Sequence, residues 1–225
     1  MKTLVLDTET TGIPIFADPT GKGLAMSDAP GQPRMVQLAG LLHDDAPDAP
    51  PPILFSAITK PEGWEIDEEG VAFKSHGITN ARAQAEGRPI GDILAEFDAN
   101  FMAPCDQIIA FSATFDRKIL RIAMMRHWGR TGHPRQGQKP SPYLCLMKTL
   151  TPIIRLPATQ RMIDAGRGAQ HKTPNLAEAH AWAFKEGFAG AHDALNDVKA
   201  THRLWLHVAQ MRPVVELVRL PDRDS

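Results

Sequence analysis

The stretch Leu4-Val5-Leu6-Asp7-Thr8-Glu9-Thr10-Thr11-Gly12 decides how this chain is read. Its short apolar run predicts a strand from Thr3 to Glu9. Side chains on a strand alternate, so Val5, Asp7 and Glu9 share one face while Leu4, Leu6 and Thr8 share the other. Apolar residues of both parities point to a strand covered on both sides, as in the middle of an α/β sheet. Two carboxylates two positions apart at the end of such a strand can reach one ion together. A carboxylate directed into a core needs something to offset its lost hydration, and a bound cation does this. Taken alone, the stretch also reads as two acids in a solvated turn before Gly12.

Two other places repeat the pattern. Gln107-Ile108-Ile109-Ala110-Phe111 predicts a short strand, followed by a helical pattern from Thr114. Steps of three and four from Asp116 reach Ile119, Leu120, Ala123 and Met124, so Asp116 lies on the apolar stripe, with Arg117, Lys118 and Arg121 off it. The helix dipole explains an acid in a first turn but not its place on the core side. The third place is a helix expected from Asp193 to Met211, with Asp193 as its N-cap. From Asp197, the same steps reach Ala194, Val198, Thr201, Leu204, Trp205 and Val208. His192 and Asp197 would point about 140° apart on one ideal helix. A shared site therefore requires His192 on the entering loop. The chain has nine histidines, and a lone one is more often structural than catalytic.

In order and separation, Asp7-Thr8-Glu9-Thr10-Thr11-Gly12, Ala113-Thr114-Phe115-Asp116 and Ala191-His192-Asp193-Ala194-Leu195-Asn196-Asp197 resemble the three motifs of the DEDDh exonuclease family. That family includes the epsilon proofreading subunit of bacterial replicative DNA polymerase, ribonuclease T and many phage exonucleases. The segment from Trp64-Glu65-Ile66 to His76-Gly77-Ile78-Thr79 is similar to the family's connection between its third strand and first helix, and the likeness spans roughly residues 1 to 210. The resemblance implies a ribonuclease H-like fold and removal of nucleotides from a 3′ end. Asp7, Glu9 and Asp197 would hold a first cation, and Asp7 would bridge to a second supported by Asp116. Mg²⁺ suits such an oxygen-only site, with Mn²⁺ as substitute. His192 would be the general base. Thr10, Thr11, Gly12, Ile13, Ser112 and Phe115 fall at the family's substrate contacts, with Ile13 against the terminal base. One departure stands out: Phe111-Ser112 occupy places where the family usually carries His-Asn, and Ser112 has no amide to offer a substrate.

Composition bounds the rest. With 225 residues, 43% of them hydrophobic, the chain can bury a substantial core in one domain, expected over 1–225 with a core to about 210 and a short C-terminal tail. Cys105 and Cys145 are the only cysteines, too few for a disulfide scaffold or a four-cysteine zinc site. No apolar run is long enough to span a bilayer, the start lacks a signal peptide's apolar region, and the expected location is the cytoplasm. The net charge is −1, yet between Arg117 and Ile163 there are ten Lys and Arg and no acid. That basic stripe can meet backbone phosphates, or it can be a solvated surface.

Ala46 to Pro52 reads as a connection between strands Met35–Leu42 and Ile53–Thr59, and Gly129 to Pro142 as an exposed basic loop. Thr159 to Pro174 reads as irregular, before a helix from Asn175 to Lys185 entered at Thr173-Pro174. Three strands, helix, strand, helix and later helices make an α/β domain with a mixed central sheet flanked by helices. The expected partner is single-stranded nucleic acid, DNA ahead of RNA. A polymerase partner is not expected, since only 28 residues follow Asp197. The alternatives are an exoribonuclease of the same fold, a haloacid-dehalogenase-type phosphatase, which wants Asp where Glu9 stands, and a non-catalytic nucleic-acid-binding module.

Overall fold

The computed structural model describes residues 1–17, 20, 27, 29, 31–129, 141–188, 190–211 and 216–221. Among them five strands form one mixed sheet in the order β3-β2-β1-β4-β5. The strands are β1 (Lys2–Thr10), β2 (Met35–Asp44), β3 (Ile53–Ile58), β4 (Gln107–Ala110) and β5 (Tyr143–Cys145). The helices are α1 (Val71–His76), α2 (Asn80–Glu86), α3 (Ile90–Phe97), α4 (Ala113–Trp128), α5 (Leu146–Ile154), α6 (Gln160–Asp164), α7 (Leu176–Phe184) and α8 (Ala194–Gln210). A π-helical turn, Asp98–Met102, continues α3. None of these helices is long and apolar enough to cross a membrane.

β1 is the pivot of the sheet. It pairs antiparallel with β2 along its whole length, with a bulge between Glu9 and Thr10. With β4 it pairs parallel only from Thr3↔Gln107 to Val5↔Ile109. Past Val5, β4 turns away into α4, and the β4 side of β1 has no strand partner among the described residues. This gap opens at the carboxyl ends of the parallel strands, where α/β sheets take their ligands.

Both faces of β1 are covered, as its apolar parities predict. Leu4 and Leu6 pack with Leu38, Phe97, Ile119 and Leu120 on the face of α3 and α4. Val5 packs with Ala39, Ile109, Leu150, Val198 and Leu204 on the face of α5, α7 and α8. Gly40 lets the first layer close. A Cβ there would lie 2.6 Å from Phe97 Cε2 and 3.3 Å from Leu4 Cδ1. Gly40→Ala should therefore lower stability by about 1–3 kcal/mol, the cost of overpacking a core, despite the better strand propensity of alanine. Urea unfolding of the two proteins measures it.

Several short elements escape a reading by periodicity. β5 is three residues long. α6 lies within the stretch expected to be irregular, and starts because Thr159 accepts the Met162 N–H. α7 (Leu176–Phe184) matches the helix expected from Asn175 to Lys185, and a capping box starts it, in which Asn175 and Glu178 bond each other's backbone N–H. The single helix expected between the third and fourth strands is three helices and the π-helical turn. The connection resembling that of the exonucleases is tied down by Asn80, whose side chain accepts from Ile66 N–H at 2.7 Å and donates to Ile66 O at 2.8 Å. Residues 216–221 return to the sheet edge, where Cys145 N–H donates to Val218 O and Leu220 N–H to Tyr143 O.

Candidate functional site

Asp7 and Glu9 project from the end of β1 on the α8 face, alongside Val5. Thr8 points the other way, and its role follows from the missing strand partner. Its backbone N–H, on the gap side of β1, donates to Asp116 Oδ1 at 3.1 Å, and its hydroxyl donates to the same oxygen at 2.9 Å. Asp116 is 2% exposed in the first turn of α4, so these bonds fix a buried carboxylate against β1. The sequence pattern found Asp116 but not Thr8. A threonine on the apolar face of a buried strand is the signal, because a buried hydroxyl requires a partner.

His192 and Asp197 come together as the spacing demands, with His192 off the helix. His192 has a φ of 69°, a left-handed conformation that costs a non-glycine residue about 1 kcal/mol or more. That conformation turns its N–H toward Asp197, 3.3 Å from each carboxylate oxygen. Asp193 caps α8 by accepting the Asn196 N–H at 3.2 Å. The ligand atoms of Glu9, exposed His192 and buried Asp197 all lie within 4.8 Å of one another, a spacing that can hold one ion. Asp7 lies outside this closest trio.

Electrostatics ties Asp7 to the rest. Burial pushes its carboxyl well above the ordinary carboxylate range, and the charges of Asp116, Asp197, Glu9 and Asp193 push it further. Burial, then Asp197, Asp116 and Asp193, raise Glu9 to about 8. Burial raises Asp116 to about 7 against the opposing hydrogen bonds from Thr8. Burial raises Asp197 to about 6 against the His192 N–H and ring. Among the described residues no Lys or Arg forms an ion pair with any of the four acids. Hard oxygen donors crowded together without basic partners match what Mg²⁺ or Mn²⁺ requires, and His192 adds a nitrogen that Mn²⁺ accepts.

The expected substrate contacts divide. Thr10 Oγ1 donates to Gly12 O at 2.6 Å and accepts the Gly12 N–H at 3.2 Å, closing a tight turn. Thr11 exchanges two hydrogen bonds with the backbone of Arg34. Ile13, just beyond, is 81% exposed, free to meet a ligand. Phe115 instead packs against the core beneath α4, and Ser112 sits at the α4 N-cap position with no side-chain capping bond. Phe111 is buried among the α8-side residues, so it fills core where the exonuclease pattern has histidine.

Among the described residues, Arg117 and Arg126 of the basic stripe take separate partners. Arg117 donates to Pro221 O and lies over the Tyr143 ring. Arg126 donates to the Gln32 and Pro33 carbonyls. Lys118, expected off the apolar stripe, is 7% exposed. Arg130, Arg135 and Lys139 lie outside the described residues. The basic side chains that do converge are Arg34, Lys60, Arg126 and His127, around a cleft of about 150 Å³ that also takes in Trp64 and Glu62. Burial and the charge of Arg34 lower the Arg126 pKa.

No family model and no curated protein matches this sequence. Solved structures share its fold. One is E. coli exonuclease I in complex with a dA16 oligonucleotide: 20% identity, TM-score 0.64, covering 95% of this chain and 41% of that one. The zinc-bound E. coli exonuclease I complex with single-stranded DNA matches at 18% identity, TM-score 0.62, over 94% and 41%. An exonuclease I from Methylocaldum szegediense matches at 21% identity, TM-score 0.62, over 94% and 41%. The chain thus spans about two fifths of these proteins, and it shares their ribonuclease H-like fold, a mixed five-stranded sheet flanked by helices.

Proposed function

We propose that this chain is a metal-dependent 3′–5′ exonuclease of the DEDDh type that hydrolyses single-stranded DNA, with residues 1–225 working as a single exonuclease domain. One observation carries the reading. Four acids from β1, α4 and α8 crowd the gap at the end of β1, with no Lys or Arg ion partner among the described residues, beside an exposed histidine on a strained loop. A phosphatase reading fits poorly, because position 9 is Glu rather than a second Asp. A non-catalytic module has no use for this uncompensated charge.

Asp7, Glu9, Asp116 and Asp197 would hold two Mg²⁺ or Mn²⁺ ions. Such cations, when bound, activate a water nucleophile and stabilise the leaving oxygen of a phosphodiester. The Thr8 bonds keep Asp116 aligned, and the His192 N–H orients Asp197. A ring nitrogen of His192 accepts a proton from the attacking water. Water adds to phosphorus, the P–O3′ bond breaks, and the 3′ nucleotide leaves as a 5′-monophosphate. The 3′ polarity rests on the motif resemblance. The closeness of His192 to Glu9 and Asp197 supports a second reading, in which His192 is itself a ligand.

The Thr10–Gly12 turn presents Ile13 to the terminal base. Apolar contact with a base face does not select among bases. Ile13→Ala should raise KM for short single strands about 3–10-fold without base preference, and leave hydrolysis of a baseless phosphodiester unchanged. Equal losses on both would remove the contact. The two E. coli exonuclease I structures described above hold single-stranded DNA, which favours DNA over RNA. Digestion of matched single-stranded DNA, RNA and duplex with Mg²⁺ tests the choice, and faster loss of RNA would make the enzyme an exoribonuclease.

A further inference from the structure

His192 and Asp197 sit at the start of α8, whereas Asp7 and Glu9 sit on β1. A site built from both needs α8 held in register with the sheet, and the link runs through β2. Gln37 stands opposite Glu9 in the β1–β2 ladder and is 3% exposed. It interrupts an otherwise apolar strand, Met35-Val36-Gln37-Leu38-Ala39, where a buried polar side chain requires partners. Its carboxamide is fully used. Nε2 donates to Asp193 Oδ2 and to Ser56 Oγ, each at 3.3 Å, and Oε1 accepts the Ala194 N–H at 3.2 Å.

We infer that Gln37 is a positioning residue, an amide clamp that sets the N-terminus of α8, and with it His192 and Asp197, against Asp7 and Glu9. The inference rests on the nuclease reading above. The two residues that Gln37 holds, the α8 N-cap Asp193 and the first α8 residue Ala194, follow directly after His192. The side chain must donate to a carboxylate and accept from an N–H at once. Glutamine does both, leucine neither. Glutamate accepts from Ala194 but sets a second carboxylate against Asp193.

The complementarity can be reversed. In the double variant Gln37→Glu/Asp193→Asn, the new amide at position 193 donates to the new carboxylate at 37. That carboxylate still accepts the Ala194 N–H, and the new amide's oxygen still caps α8. We expect Gln37→Glu and Gln37→Leu to lower kcat on a single-stranded oligonucleotide about 10–100-fold, as for other residues that orient metal ligands, with KM little changed. The double variant should recover most of the Gln37→Glu loss. Calorimetric Mn²⁺ affinity should follow the same order, because it reads the placement of Asp197 against Glu9 without a nucleic acid. Thermal melting identifies any variant that fails to fold, and Gln37→Glu with its double partner carries the decision if Gln37→Leu does. Wild-type kcat and Mn²⁺ affinity in Gln37→Glu, or a double variant no better than the single, would overturn the clamp. A wild-type protein that binds Mn²⁺ but cleaves nothing would overturn the nuclease reading, and the calorimetry would still decide the clamp.

Discussion

Asp7→Asn is expected to lose more than about 10³-fold in Mg²⁺-dependent hydrolysis while raising the melting temperature of the metal-free protein at pH 8. The two effects share one cause. A cation at this site supplies several kcal/mol of charge stabilisation, and an amide at position 7 removes a buried carboxylate on which the charges of Asp116, Asp197 and Glu9 all act. In the metal-free protein the same carboxylate is a burden. Its folded-state pKa lies well above the ordinary value, as do those of Glu9 at about 8, Asp116 at about 7 and Asp197 at about 6. A raised carboxyl pKa means that the folded state binds more protons than the unfolded one. Its stabilising contribution is therefore full below about pH 4 and is lost as pH rises through the folded value. His202 works oppositely: burial and His43 lower it to about 4, so its contribution grows with pH up to about 6.5. Above that only the carboxylates remain, and metal-free wild-type protein should lose several degrees of melting temperature between pH 6.5 and 8. Mn²⁺ should restore them, and more at pH 8 than at pH 5, since the ion takes deprotonated ligands. A flat profile with chelator present, or near-wild-type hydrolysis by Asp7→Asn, would contradict the site.

His192→Ala is expected to lose about 10²–10⁴-fold in kcat, with substrate KM changing far less, if its ring acts as the base. Calorimetry with Mn²⁺ separates this from the ligand reading. A base leaves Mn²⁺ affinity within a few-fold of wild type, whereas a ligand takes it down with the rate. The backbone adds an independent check. Because His192 holds a φ of 69°, His192→Gly should be more stable than His192→Ala by about 1 kcal/mol, although both lose the ring. Equal stability would mean that the loop relaxes when the ring is lost.

What could be read from the residues follows from periodicity. β1, β2 and β3, α4, α8 and the inward acids each carry a pattern long enough to give a face, and the structure brings Asp7, Glu9, Asp116, His192 and Asp197 to one end of the sheet. The single helix expected after β3 gave no hint of its division, because α1 and α2 are only six and seven residues long and are fixed by caps and Asn80 rather than by a stripe. Thr8 and Gln37 were legible only as polar residues in apolar strands. Which acid or helix they serve depends on pairs 108, 156 and 157 positions apart. The basic stripe divides, with Arg130, Arg135 and Lys139 outside the described residues. Charge counted along the chain ignores that α4 turns Arg117 and Arg126 to different partners, while Arg34 and Lys60 reach the basic cleft from distant segments.

The most direct test follows a 5′-labelled single-stranded DNA oligonucleotide through digestion, sampled over time. Wild-type protein with Mg²⁺ should give a ladder of labelled products shortening from the 3′ end, with nucleoside 5′-monophosphates released and no ladder once chelator is added. Asp7→Asn should give none. An unshortened strand with every divalent cation tried, early release of a labelled mononucleotide, or a chelator-resistant ladder would contradict metal-dependent 3′–5′ exonucleolysis at this site.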